Sequence, residues 1–519
     1  MNPRPMLAVS MIVWAAALLA GCAGQPIEPY ARPAPQFAPA PRADGAFAGV
    51  EAQVRAASGA EASGFALIDS NEEALRWRLA LIDSARHTID LQYYIWFADS
   101  AGRLLLKRVL DAADRGVKVR ILVDDLNTVL EDAGTVKQRD GAAAWIDSHP
   151  NVELRLFNPW RERSLGGRVG ESVAETARVN QRMHNKALVV DNQATIIGGR
   201  NIGDEYMGLA TEFNFHDLDV IGVGPVARQV SAVFDLFWNS DWVMPASALR
   251  VRIDPVRAAA GRARLDQRVA ADPMLVRFHP APSSWSTDIE ALGRRLEPGH
   301  STVETDRPLD GRIAQDMIRV IYRELLPLQR ELLVVNAYVI PDAHALQTLR
   351  DLRRRGVQVS ILTNSLASHD VPAVNSHYRA WRKPLVEAGV ALYEIRHDAA
   401  IRGEVADTAP IRSTFMGLHS KAMVLDRSRC IVGSMNLDPR SAAVNTEMGV
   451  IIRSIGLCGD LAKRIERDTR PENAWRVELA PDGGLRWVND RQTVARQPAR
   501  NAWQRVLDVF FVAFPKEYY

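Results

Sequence analysis

Apolar positions along this chain switch between two periods, and the same sequence of switches occurs twice. IDLQYYIW (89–96) has the composition of a strand. Leu106, Val109, Leu110 and Ala113 then recur at the i, i+3, i+4, i+7 spacing of a helix, and RGVKVRILVDD (115–125) reads as a turn and a buried strand. The second half repeats this with ELLVVNAYVI (331–340), a helix from Leu346 to Arg355, and RGVQVSILTNS (355–365). Each strand, helix, strand unit predicts parallel pairing through a right-handed crossover. Both halves continue with one more strand, NVELRLF (151–157) and VALYEI (390–395), and then a hairpin-like pair of apolar runs, HNKALVVDNQATIIGG and HSKAMVLDRSRCIVGS. Val226, Val230, Val233, Phe234, Phe237 and Trp238 form a helical stripe that reads as core.

The pattern predicts an α/β protein of two similar lobes, residues 61–250 and 301–470, with an inter-lobe joint at 251–300 and a C-terminal extension at 471–519. The end of that extension, VLDVFFVAFPKEYY, reads as a segment packed on the lobes, with membrane contact as the alternative. A length of 519 residues with 47% hydrophobic and 24% charged residues suits globular cores and excludes a fibrous, disordered or polytopic membrane chain. Lys and Arg number 64 against 62 Asp and Glu, so no bulk charge points to nucleic acid, although Arg353, Arg354 and Arg355 cluster locally.

The amino terminus carries Arg4, an apolar run from Met6 to Ala20, and Leu19-Ala20-Gly21-Cys22, which resembles a bacterial lipoprotein signal spanning residues 1–21. That resemblance implies cleavage before Cys22 and lipidation of it. An ordinary cleaved leader is the alternative, and the apolar run is short of the roughly 20 residues of a spanning helix. Ala23, rather than Asp, implies the periplasmic face of the outer membrane under the enterobacterial sorting pattern. Residues 22–60 begin with six prolines before Gly45 and read as a tether able to span up to about 70 Å in polyproline II. Cys430 and Cys458 are either buried thiols or a disulfide pair.

Chemistry concentrates where the two hairpins align. His184/His419, Lys186/Lys421, Asp191/Asp426, Gly198/Gly433, Asn201/Asn436 and Glu212/Glu447 recur at equal offsets. Core packing repeats apolar types and has little reason to repeat a histidine, a lysine, an asparagine and a glutamate. On a strand, positions i and i+2 share a face, so each His and Lys point together. Two lobes related by an approximate twofold then bring two imidazoles and two ammonium groups to one point. That set suits a phosphodiester: Lys and Asn donate to non-bridging oxygens, one imidazole attacks phosphorus, and the other protonates the leaving oxygen. Glu212 and Glu447 are assigned as the carboxylates that orient the imidazoles. Asp191 and Asp426 follow their strands at turns, where aspartate bonds backbone amides, and so are read as support. Ser434 adds a donor that Gly199 cannot. His216, Asp217 and Asp219 alternate in FHDLDVIGV and are read as orienting neighbours rather than binding metal. Tyr93, Tyr94 and Tyr338 line either a lipid pocket or the core.

HxKx4Dx6G(G/S)xN, present twice, resembles the phospholipase D superfamily over about residues 60–470. The resemblance implies a bilobed α/β sandwich with its active site at the pseudo-twofold interface, a phosphohistidine intermediate, His184 as nucleophile, His419 as general acid, and neither metal nor cofactor. YYIWFADSAGRLLLKRVLDAADRGVKVRILVDDLN, HNKALVVDNQATIIGGRNIGDEY, FHDLDVIGVGPVARQVSAVFDLFWNS and GSMNLDPRSAAVNTEMGVII resemble bacterial cardiolipin synthases of the C type. That implies phosphatidyl transfer to phosphatidylglycerol, from a second phosphatidylglycerol or from phosphatidylethanolamine. A phospholipase D that lets water resolve the intermediate, a nuclease, and a non-catalytic envelope lipoprotein are the other readings. The chain departs from ordinary cardiolipin synthases in lacking paired N-terminal spanning helices.

Overall fold

The computed structural model describes residues 30–125, 136–278 and 285–511. Cys22, the leader and residues 512–519 lie outside them. Lobe 1 contributes β1 (Ser63–Ile68), β2 (Thr88–Tyr93), β3 (Lys118–Asp124), β4 (Val152–Phe157), β5 (Ala187–Val190), β6 (Ala194–Gly198), β7 (Phe213–His216), β8 (Asp219–Val223) and β9 (Val243–Pro245). Lobe 2 begins with β10 (Glu297–Thr305) and the small hairpin β11 (Arg307–Leu309) and β12 (Arg312–Ala314). It continues with β13 (Glu331–Asn336), β14 (Gln358–Asn364), β15 (Ala391–Ile395), β16 (Phe415–Leu418), β17 (Lys421–Leu425), β18 (Arg429–Gly433), β19 (Met448–Arg453) and β20 (Ala474–Leu479).

The pairings reproduce one plan twice. In lobe 1, β2, β3 and β4 are parallel, and β5, β6 and β8 continue antiparallel from β2 to β1. In lobe 2, β13, β14 and β15 are parallel, and β17, β18 and β19 continue from β13 to β10. The sheets meet where β1 pairs antiparallel with β10, at the pseudo-twofold. In lobe 1 one face of the parallel strands puts Ile89, Leu91, Ile121 and Leu154 into the core, while the other carries Asp90, Arg120 and Arg155 beside Leu122 and Phe157, with Arg120 and Arg155 lying over Trp238. Phe65, Val189, Phe234 and Trp238 from lobe 1 share a single buried cluster with Val335, Val424, Cys430 and Leu461 from lobe 2. The helix Pro225–Trp238 supplies the stripe expected from its periodicity. Cys430 and Cys458 are disulfide-bonded, with Cα atoms 5.5 Å apart.

Three segments differ from their expected roles. The proline-rich run is docked on lobe 1 from Tyr30 onward: the Gln36 amide N–H donates to Asn239, the Ala38 N–H to Asp235, and Asn192 donates to the Pro39 carbonyl. These polar side-chain partners lie 153 to 203 residues away, which is why composition alone reads it as a free spacer. Residues 251–300 are also more than a joint, since Leu265, Val269, Phe278, Trp285 and Ile289 enter the lobe 1 core. The extension after residue 470 enlarges lobe 2, with β20 pairing to β15 and a further hairpin strand, Leu485–Val488, beyond it. Among the described residues, no helix is long and apolar enough to cross a membrane.

Beneath the lobe interface, Asp219 is fully buried between Arg78 at 2.9 Å and Arg200 at 3.1 Å. Asp219→Ala leaves two buried guanidinium groups uncompensated, and urea unfolding is expected to show a loss of about 3–5 kcal/mol.

Candidate active site

Each histidine sits just ahead of a strand, where the chain enters β5 or β17. The residue before it is clamped by the last residue of the neighbouring parallel strand: the Met183 N–H donates to Asp124 at 2.8 Å and the Leu418 N–H to Asn364 at 2.9 Å. Each lysine lies two residues on and folds back to donate to the carbonyl of its own histidine, Lys186 to His184 at 2.6 Å and Lys421 to His419. His and Lys therefore share a side, as alternation predicts.

The lobes cross at this point. Lobe 2's Thr446 carbonyl accepts from the His184 N–H, β16 pairs in parallel with β7, and the His419 N–H donates to the lobe 1 His216 carbonyl. The imidazoles consequently take carboxylate partners from the opposite lobe. His184 Nδ1 lies 2.9 Å from Glu447 Oε2, and His419 Nδ1 lies 2.6 Å from Asp217 Oδ2.

The assignment of Glu212 is therefore corrected to Asp217. Glu212 is exposed. Strand register gives the reason: Gly198 faces Asp219 as Gly433 faces Gly449, so two residues earlier Asp217 is the counterpart of Glu447. Lobe 1 carries five extra residues before that strand, and equal offsets count past them. Gly199 makes room for this carboxylate, because a Cβ there would lie 2.3 Å from Asp217 Oδ1. Lobe 2 has Ser434 instead, and its hydroxyl donates to Glu447 at 2.5 Å, so it supports the orienting carboxylate.

Other expected residues divide clearly. Asn201 and Asn436 are buried. Asn201 accepts from the Ile95 N–H at 3.3 Å and bonds Tyr206. The Asn436 Oδ1 has no hydrogen-bond partner among the described residues. Asp191 and Asp426 stand away from the imidazoles: Asp191 accepts from the backbone N–H groups of Arg86, His87 and Thr88, and Asp426 from those of Gln329, Arg330 and Glu331. They fasten the loops that lead into β2 and β13. His216 pairs with Asp468 at 2.7 Å. Tyr94 meets His184 edge-on at 5.0 Å, Tyr338 stacks on His369, and Tyr93 is core, bonded by Arg78. Sequence reasoning gave no role to Tyr206, edge-on to His419 at 5.2 Å, or to Ser441, which bonds Glu447.

Burial and crowded positive charge govern the electrostatics of the site. Burial, reinforced by Lys186 and Lys421, holds His184 well below the usual histidine range. Burial and Lys421 depress His419 to about 4 against the opposing pull of Asp217. Lys421 falls to about 8, chiefly by burial, and burial also drives Lys186 down. The two carboxylates behave differently. Burial lifts Glu447 to about 7 despite both lysines. For Asp217, burial is outweighed by His419, Lys421 and Arg200, and its carboxyl stays below the ordinary range. A phosphodiester entering among these cations relieves their mutual repulsion and raises the histidine and lysine values together.

Such paired histidine–lysine strands on a bilobed α/β scaffold define a phospholipase D-type phosphodiester site. The family described as "Cardiolipin synthase, PLD-like domain" matches residues 79–238 and 323–469. Cardiolipin synthase C of Escherichia coli K12 is 35% identical over 446 residues, covering 84% of this chain and 91% of its own length. Cardiolipin synthase B of the same organism is 26% identical, covering 74% of this chain and 75% of its own. The fold also matches phosphatidylserine synthase of Haemophilus influenzae Rd KW20, with a TM-score of 0.54, 15% identity, and coverage of 78% of this chain and 86% of that one. The chain belongs to the phospholipase D-like cardiolipin synthase family and is a phosphatidyltransferase of the phospholipase D type acting on phospholipid.

Asp217→Asn is expected to lower kcat by about 10³- to 10⁴-fold by unsettling the His419 tautomer, whereas Glu212→Gln leaves it unchanged. Steady-state kinetics on both variants checks this, and equal effects would contradict the register argument. kcat/KM reports the free enzyme, in which loss of the His419 proton above about 4 and ionisation of Glu447 up to about 7 offset each other, so kcat/KM is expected to stay level to about pH 7 and fall above it. The fall steepens as Lys421 loses its proton near 8, and Lys421→Arg moves only that steepening, upward. A pH profile of kcat/KM tests both features.

Proposed function

We propose that this protein is a cardiolipin synthase that transfers a phosphatidyl group through a phosphohistidine on His184. The observation that carries the reading is the crossed arrangement, in which each lobe's histidine is oriented by the other lobe's carboxylate. One site therefore holds two imidazoles with unequal partners. Asp217, backed by Arg200, is the anion suited to hold His419 protonated once substrate is bound. Glu447 lies among Ser434, Ser441, Asp306 and Asp438 and keeps His184 the less basic and neutral member. His184 attacks phosphorus and forms the N–P bond while His419 gives its proton to the departing headgroup oxygen, releasing glycerol from phosphatidylglycerol or ethanolamine from phosphatidylethanolamine. His419, now neutral, accepts the proton of the phosphatidylglycerol hydroxyl, whose oxygen displaces His184 and yields cardiolipin. Lys186, Lys421, Asn201 and Asn436 hold the non-bridging oxygens.

Phosphatidylglycerol is the acceptor and, with or without phosphatidylethanolamine, the donor. Sequence similarity to cardiolipin synthase C supports this choice over hydrolysis to phosphatidic acid. Cys22 is the proposed lipid anchor at the periplasmic side of the envelope, with the outer membrane favoured. Because the chain is docked from Tyr30, the leash from Cys22 spans at most roughly 25–30 Å. The mass of the mature N-terminus tests this, and an unmodified Cys22 refutes it.

Labelled phosphatidylglycerol incubated with the mature protein is expected to give cardiolipin by mass spectrometry, and His184→Ala and His419→Ala each abolish it. Phosphatidic acid as the sole product would identify a hydrolase instead. Turnover surviving either substitution would contradict a single shared site.

A further inference from the structure

The helix Ala502–Phe510 is amphipathic in the reverse of the usual sense. Its polar residues face the protein. Gln504 is 7% exposed and donates to the Leu366 carbonyl; Asp508 is 1% exposed and accepts from Asn375, Arg379 and Gln497. Its apolar residues face outward: Trp503 is 64% exposed, Val506 53%, Val509 63% and Phe510 58%. At 100° per residue these four side chains form one stripe, with Arg505 on its flank. A helix that uses hydrogen bonds to hold its polar side against the protein presents its apolar side to another phase, since an apolar stripe left in water is unfavourable in proportion to its area.

We propose that this stripe inserts into the interfacial layer of a phospholipid bilayer and seats the active site on the membrane. This rests on the phospholipid reading above. Continuity with the site favours a bilayer over a protein partner. Arg500, just ahead of the helix, lies 3.5 Å over the Phe415 ring and donates to the Ala367 carbonyl. Phe415 opens β16, the strand that delivers His419, and the Ala367 loop runs on to His369 and Asp370, which hold Tyr338 by stacking and by a 2.8 Å hydrogen bond. Arg505 is placed to meet anionic headgroup phosphates.

The test is a nitroxide on Val506→Cys in the otherwise intact, anchored protein, bound to phosphatidylglycerol/phosphatidylethanolamine vesicles. Relaxation by oxygen rather than by a water-soluble nickel chelate is the expected result. Relaxation dominated by nickel means the stripe stays in water, and inaccessibility to both means protein covers it, whether a second copy or the chain's own end; either overturns the proposal. Trp503→Ser/Val506→Ser/Val509→Ser/Phe510→Ser should lose about 10-fold or more activity on vesicles while keeping turnover of monomeric short-chain phosphatidylglycerol within about twofold. Equal loss on both substrates would make the stripe structural and also overturn it. Depth is read without turnover, so a label in the bilayer on a protein that makes no cardiolipin would refute the synthase reading and leave this one standing.

Discussion

Two hydrogen bonds between lobes, His184 to Glu447 and His419 to Asp217, are the constraint around which the rest of the molecule is arranged. An imidazole buried beside two lysines loses its solvation, and a carboxylate restores part of it only if held at hydrogen-bond distance in a fixed direction. Neither lobe supplies that carboxylate to its own histidine. The β1–β10 pairing, the parallel β7–β16 contact and the apolar cluster shared by both lobes therefore do more than stabilise the fold: they set the alignment of the chemical groups.

The pseudo-symmetry is good enough to build one site from two halves and imperfect enough to give their histidines different carboxylate partners. Arg200 reaches the Asp217 carbonyl and the Asp219 carboxylate, so lobe 1 presents an ionised aspartate. Lobe 2 presents Glu447 on a chain whose N–H is held by Asp306, itself lifted to about 7, with Asp438 lifted equally. The proposed phosphohistidine mechanism calls for such an inequality, one imidazole free to attack and the other able to carry a proton.

Much of this was legible in the sequence. The alternation of period, the repeated His, Lys, Asn and Gly positions, and the turn role of Asp191 and Asp426 follow from local geometry that a single strand or turn dictates. The sequence marks Asp217 as an orienting residue but not as the partner of His419, because the contact joins residues 202 positions apart and a five-residue insertion breaks the equal spacing that points to Glu212. The docked proline-rich strap and the outward-facing stripe at Trp503 were hidden for a related reason. Composition shows what a segment contains, whereas the side chains of Asn239, Asp235 and Asn375, distant in sequence, decide which side of it meets protein.

The central claim is that His184 carries the phosphatidyl group and His419 handles the proton. The most direct measurement is peptide mass mapping of the His419→Ala variant after reaction with a phosphatidyl ester whose leaving group departs without protonation, such as a p-nitrophenyl ester. The account predicts a stable phosphatidyl adduct on His184, because nothing activates the acceptor hydroxyl to remove it. Failure of any adduct to form on His184, or an adduct on the reciprocal His184→Ala variant at His419, would contradict it.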